Sequence, residues 1–218
     1  MLNGEISDAQ AAAGASAGRA ELVSCWSCQG PCGPGDLFCP TCRAVQPPGQ
    51  SDHFARLGLP ISFDIDTAAL DRRYFELQRL LHPDRFVNAT PRERSLSQQH
   101  AVSLNEAYEV LKDSLSRADY MVHLKGTEVL PEGCSLVNDE ELLVETMELR
   151  QALAEAETLG EVDALARRAA EDIGACVEQL SALFAGDDLE GAISLTTRLK
   201  YLRKLAEETR LGRARLAT

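Results

Sequence analysis

Four cysteines carry the first chemistry legible in this chain: Cys25-Trp26-Ser27-Cys28 and, after ten intervening residues, Cys39-Pro40-Thr41-Cys42. Each Cys-x-x-Cys curls into a knuckle that turns two sulfurs toward one centre, and two knuckles make the tetrahedral thiolate set that Zn2+ accepts. The connection, with Gly30, Pro31, Gly33, Pro34 and Gly35, is turn-rich and has too few apolar side chains to order itself without a metal. A four-cysteine iron centre would use the same ligands. Cys32, a further thiol, can either replace Cys28 or lie beside the site; the paired knuckles favour Cys25, Cys28, Cys39 and Cys42. No general base or open position accompanies them, so one structural zinc ion is expected, with Trp26 packed over the knuckle. The chain has seven cysteines, five within residues 25–42. That odd count, with neither a secretion signal nor an adjacent βαβ pattern, disfavours a disulfide framework or a redox pair.

The second chemically distinctive stretch is His82-Pro83-Asp84, a polar interruption between two helical patterns. Leu70, Tyr74, Leu77 and Leu81 draw one apolar stripe before it; Ala101, Leu104, Tyr108 and Leu111 draw another after it. Proline lacks the N–H needed to continue the helix and pushes His82 out of the α region, so the spacing predicts a stop and a tight turn. Asp66 is the expected N-cap of the first of these helices. A shorter helix is expected over Asp52–Leu59, with Phe54 and Leu57 inward and ended by Gly58 and Pro60.

Two antiparallel helices joined at His-Pro-Asp resemble the J-domain, the module of co-chaperones that switch on the ATPase of DnaK-type chaperones. Asn105-Glu106-Ala107-Tyr108-Glu109-Val110-Leu111 and Ser116-Arg117-Ala118-Asp119-Tyr120 are similar to its third and fourth helices. The resemblance implies that His82, Pro83 and Asp84 dock on the chaperone and that Arg72, Arg73 and Arg79 form a basic face toward it. Leu80 departs from the pattern, since many J-domains carry another base there. His53, His100 and His123 lack ligand spacing and read as surface or packing residues.

At 218 residues and 23.7 kDa, with 5% aromatics and abundant Leu, Ala and Glu, the composition favours helices packed by aliphatic side chains. The net charge of −12 and pI near 4.8 oppose nucleic acid and anionic membrane as partners and favour proteins. No apolar run reaches membrane-spanning length. Residues 1–20 read as a disordered tail with neither a secretory core nor an arginine-rich presequence. A cytoplasmic location is expected, or a mitochondrial one if a presequence lies upstream.

The expected organisation is the tail, a knuckle over 21–46, a linker at Gln46–Ser51, a J-like domain over 52–126 and a bundle over 135–215. Thr127–Asn138, with Pro131 and Gly133, marks the second boundary. Helices are expected at about 139–158, 161–185 and 188–212, split by Gly160 and by Gly186-Asp187-Asp188. Leu142, Val144, Leu149, Leu153, Ile173, Leu180, Leu195, Leu199 and Leu202 are enough for a small antiparallel three-helix bundle, which makes the chain all-α apart from the knuckle.

This order resembles the HscB co-chaperones of iron–sulfur cluster assembly. The match includes Leu142-Leu143-Val144-Glu145-Thr146-Met147-Glu148-Leu149-Arg150, Leu153-Ala154-Glu155-Ala156-Glu157 and Arg198-Leu199-Lys200-Tyr201-Leu202. It implies a non-enzymatic adaptor whose bundle binds the cluster scaffold IscU through Leu143, Val144, Met147, Glu148, Gln151, Glu155 and Tyr201. It also implies that the J-like domain passes IscU to a DnaK/HscA-type chaperone. Gln151 replaces a common acid and Val144 a longer side chain. The rival readings are a J-type co-chaperone with another client, a zinc-ribbon regulator of nucleic acid and a thiol oxidoreductase. The regulator would want a basic surface beside the knuckles, where only Arg43 lies; the oxidoreductase would need a reactive low-pKa cysteine.

Overall fold

The structure is a computed structural model that describes residues 22–129 and 140–217. The expected tail, residues 1–20, and the boundary residues Pro131 and Gly133 lie outside the described residues. The chain divides after Gly49 into two compact units. Both expected helical domains lie in the second unit.

In the first unit, β1 (Val23–Ser24) and β2 (Pro31–Cys32) pair antiparallel, Val23 with Cys32 and Ser24 with Pro31. An isolated bridge joins Phe38 to Val45. Gln46, the last residue of the expected knuckle and the first of the expected linker, is buried within this unit, its backbone N–H donating to the Leu37 carbonyl at 2.9 Å.

The second unit is all helical among the described residues. Helix α1 (His53–Leu57) is capped by the Asp52 carboxylate and ends at Gly58, whose φ of 67° is left-handed and suits a residue without Cβ. Phe54 and Leu57 are fully buried, as expected. Helix α2 (Thr67–Leu81) starts where Asp66 accepts from the N–H groups of Ala68 and Ala69. A 3₁₀ turn, Pro83–Phe86, leads to α3 (Pro91–Lys112), which opens with proline in its first turn and a reciprocal Thr90–Glu93 capping box. Leu70, Leu77 and Leu81 of α2 face Leu104, Ala107 and Leu111 of α3 in the hairpin core, and α1 packs on α3. Tyr74 stands at the rim, stacked on Tyr108 with centroids 4.1 Å apart and donating to Asn105 Oδ1. His100 is buried in α3 as a packing residue.

Helix α4 (Ser114–Leu124) contacts both α3 and the last helix. Helices α5 (Glu140–Glu155), α6 (Leu159–Ala185) and α7 (Leu189–Leu216) form the bundle. Gly160 does not split α5 from α6. It lies inside the first turn of α6, which begins at a Thr158–Glu161 capping box. The reciprocal bonds of that box satisfy N–H groups the helix start would otherwise leave open, so the break falls at Ala156–Thr158. Helix α7 runs beyond the expected 212, carrying Gly212 against Leu153 and Val162 in its interior. Leu142, Leu149, Leu180, Leu199 and Leu202 are buried as the periodicity predicts, but Val144 is half exposed. No helix among the described residues is long and apolar enough to cross a membrane.

Candidate functional site

The two knuckles are built alike, fourteen positions apart. The Cys25 N–H donates to the Gly30 carbonyl at 2.8 Å and the Cys39 N–H to the Ala44 carbonyl at 2.9 Å. Gln29 and Arg43, each following the second cysteine of its knuckle, adopt φ of 62° and 64° and donate N–H to the carbonyls of Cys25 and Cys39. The left-handed residue folds each knuckle back on itself, which turns the sulfurs inward. Trp26 Nε1 donates to the Val45 carbonyl at 2.7 Å and ties one knuckle to the other.

The sulfurs of Cys25, Cys28, Cys39 and Cys42 all lie within 4.8 Å of one another. Cys25 to Cys42 and Cys28 to Cys39 are each 3.7 Å. A tetrahedron with metal–sulfur bonds of about 2.3 Å has an edge of about 3.8 Å, so this set fits a tetrahedral metal ion. Backbone N–H groups point at three of the sulfurs: Ser27 at Cys25, Gly30 at Cys28 and Cys42 at Cys39, at 3.3–3.5 Å. The N–H of Cys42 pulls the Cys39 thiol down to about 6, favouring the thiolate that binds metal. Cys32 stands outside the set, 1% exposed, and burial pushes its thiol up to about 12.

At the end of α2, His82 takes up extended backbone with ψ of 131°, as a residue before proline must. The α2 terminus is anchored from α3, where the buried Ser97 hydroxyl donates to the Leu81 carbonyl at 2.7 Å. The Asp84 N–H points at His82 Nδ1 at 3.3 Å, which closes the tight turn. The Asp84 side chain is 87% exposed, with one carboxylate oxygen 3.6 Å from His82 Nδ1. The tripeptide is thus an outward polar tip on a rigid base.

The three arginines of α2 are not equivalent. Arg72 pairs with Asp66 at 3.8 Å and Arg73 with Glu76 at 3.6 Å, whereas Arg79 has no ion pair among the described residues. Periodicity had not singled out Phe75 and Val87, which with Leu80 leave large apolar side chains exposed around this end of the hairpin. A lone aromatic off the buried stripe of α2 was the available signal for Phe75.

On α5, Leu143 and Met147 are exposed, Met147 by 72%, and Val144, Glu148, Gln151 and Glu155 share the outward surface. Gln151 donates to Glu155 at 2.9 Å. A cleft of about 530 Å³ is lined by Glu140, Val144, Glu145, Glu148 and Arg198, with Arg198 bound to Glu145 at 2.9 Å. Tyr201, expected to reach this surface, is 4% exposed and turns into the interior. The packing of α7 against its neighbours puts Tyr201 inside with Leu202 and Leu205 and leaves Arg198 to meet α5. The Arg198–Glu145 pair was missed, because no local pattern links residues 53 apart.

The family model described as the HSCB C-terminal oligomerisation domain matches residues 138–210. The human iron–sulfur cluster co-chaperone protein HscB is 37% identical over 194 residues, covering 86% of this chain and 81% of that protein. The crystal structure of human HscB superposes with a TM-score of 0.82 at 36% identity, covering 87% of this chain and 98% of that one. Chaperone HscB from Vibrio cholerae follows with a TM-score of 0.67 at 32% identity, covering 76% and 99%. With relatives this similar over this much of its length, an exposed His-Pro-Asp turn and a matching C-terminal bundle, the chain belongs to the HscB family of iron–sulfur cluster co-chaperones.

Proposed function

We propose that this protein is a non-enzymatic co-chaperone that stimulates the ATPase of a DnaK/HscA-type chaperone and delivers an IscU-type scaffold to it during iron–sulfur cluster assembly. Residues 52–126 act as the J-type domain: Pro83 holds the turn, His82 and Asp84 dock, and Arg79 offers the cation of α2 that has no ion pair among the described residues. The Asp84 carboxylate is exposed for a charge-assisted bond to a chaperone arginine. Residues 135–215 hold the client, with Leu143, Val144 and Met147 as the apolar centre and Glu148, Gln151 and Glu155 as the rim. Tyr201 contributes by holding α7 in place from the interior. Coupling arises because the chaperone contacts bias a two-state ATPase while the client is bound on the same rigid unit.

In the separate N-terminal unit, Cys25, Cys28, Cys39 and Cys42 hold one structural Zn2+. The four-thiolate set supports this assignment, since zinc imposes no geometry of its own and closes the site to catalysis.

The observation that carries the reading is the exposed His82-Pro83-Asp84 tip on a chain that belongs to a co-chaperone family. The test is chaperone ATPase turnover with this protein, with an IscU scaffold, and with both. Stimulation by this protein that rises synergistically with scaffold is the expected result; additive or absent stimulation overturns the proposal.

A further inference from the structure

The fourteen-position correspondence between the knuckles extends to the residue after each closing bridge. Pro31 corresponds to Val45, each in a bridge that closes its own knuckle, and the next residues are Cys32 and Gln46. Both are buried, Cys32 at 1% and Gln46 at 6% exposure. The Gln46 amide donates to Cys25 Sγ at 3.4 Å, crossing from the second knuckle to the leading cysteine of the first. A second bond to the Ala44 carbonyl at 2.8 Å holds that amide in place. Cys32 occupies the corresponding place on the first knuckle, where it packs in one buried cluster with Cys25 and with Cys39 of the second.

The two recipients are the sulfurs most in need of such partners. Cys25 and Cys39 are both 0% exposed, while Cys28 and Cys42 lie at the surface, where water can solvate them. Four thiolates around one divalent ion leave a net negative charge, and Cys25 and Cys39, each with one backbone N–H already, are too buried for solvent to supply a further donor. Donors outside the ligand set also fix the rotamer of the ligand they touch. The four sulfurs of the set complete a tetrahedron, which leaves Cys32 no coordination position and makes its S–H a donor.

We propose that Cys32 and Gln46 are a pseudo-symmetric pair of positioning residues, one on each knuckle, that hydrogen-bond the buried ligands Cys39 and Cys25. Cys32 is neither a fifth ligand nor a redox partner in this arrangement. The inference rests on the reading of the four cysteines as a metal site.

The test uses the full chain loaded with Zn2+ or Co2+, comparing wild type with Cys32→Ala, Cys32→Ser and Gln46→Leu. Metal stoichiometry, affinity by chelator competition and the thiolate-to-cobalt absorption bands are measured. Every variant is expected to bind one ion with an unchanged four-thiolate spectrum. Cys32→Ala and Gln46→Leu each weaken binding about 10- to 100-fold, and Cys32→Ser, whose hydroxyl still donates, recovers most of the loss. A weaker charge-transfer band in Cys32→Ala makes Cys32 a ligand and overturns the proposal. So does wild-type affinity in both Cys32→Ala and Gln46→Leu, or Cys32→Ser no tighter than Cys32→Ala. A wild-type protein that binds neither metal overturns the metal-site reading itself, and this inference with it.

Discussion

The ring of Phe63, in the loop that leads into α2, stacks on Phe184 near the end of α6, with centroids 5.3 Å apart and planes inclined by 23°. The buried guanidinium of Arg117 lies over the Phe63 ring at 4.9 Å and donates to the Leu111 carbonyl. Around this joint Ser181 donates to Asp64, Lys200 pairs with Asp119 at 2.8 Å and Arg203 with Asp113 at 3.0 Å. Phe63→Ala removes the apolar centre and exposes the polar ring around it to water. The expected cost is about 3–5 kcal/mol in urea unfolding, with the single transition of the helical unit broadening or splitting. A loss below about 1 kcal/mol would show that the joint is peripheral.

His82→Gln is expected to abolish chaperone ATPase stimulation while leaving the far-ultraviolet circular dichroism and melting temperature of the protein unchanged. The side chain is half exposed and belongs to a surface turn, so no core contact is lost. Full stimulation by the variant would remove His82 from the docking site.

Salt and charge should matter less here than a basic helix suggests. Arg72, Arg73, Arg79 and Arg85 share the α2–turn surface with Asp66, Glu76 and Asp84, so it is close to neutral. Phe75 and Leu80 leave apolar area exposed on either side of Arg79. Raising ionic strength from about 0.05 to about 0.3 M is therefore expected to change half-maximal ATPase stimulation by less than about threefold. Leu80→Lys, which buries less apolar area on docking, should weaken stimulation; a stronger response from that variant would favour electrostatic docking.

The double substitution Leu143→Ala, Met147→Ala is expected to weaken scaffold binding by at least about tenfold, or about 1.4 kcal/mol, with ATPase stimulation in the absence of scaffold preserved. Both side chains are exposed on α5, so the fold should be unaffected. Calorimetric titration with unchanged affinity would move the client to another surface.

Asp71 accepts from Lys112 Nζ at 2.5 and 2.8 Å and from the Tyr108 hydroxyl at 3.0 Å, bonds that hold its carboxyl below the ordinary value of 3.8. A lowered folded-state value means that the bonds stabilise the α2–α3 hairpin above about 3.8, and that this is lost as pH falls through the folded value. The stability difference between wild type and Asp71→Asn should be constant toward neutral pH and shrink below about 3.8. Denaturant midpoints measured across that range check the sign, and a difference that grows on acidification would contradict it.

What the chain determines by itself is short-range. Two Cys-x-x-Cys pairs can curl only into knuckles, Pro83 must stop a helix, and Asp66 supplies a carboxylate where a helix start lacks acceptors. Thr158 and Glu161 held the same kind of signal, a capping box that overrides Gly160, although the glycine drew the boundary in the wrong place. The repeat that sets Cys32 opposite Gln46 left no trace in residue identity, because a thiol and an amide share no sequence signature and only the backbone pairing relates their positions. Tertiary structure alone decided that Tyr201 faces inward, that Arg198 meets Glu145, and that Phe63 meets Phe184. Helical periodicity fixes how residues are spaced around an axis, but the rotation of α7 against α5 and the docking of the Phe63 loop on α6 come from packing between residues far apart in the chain.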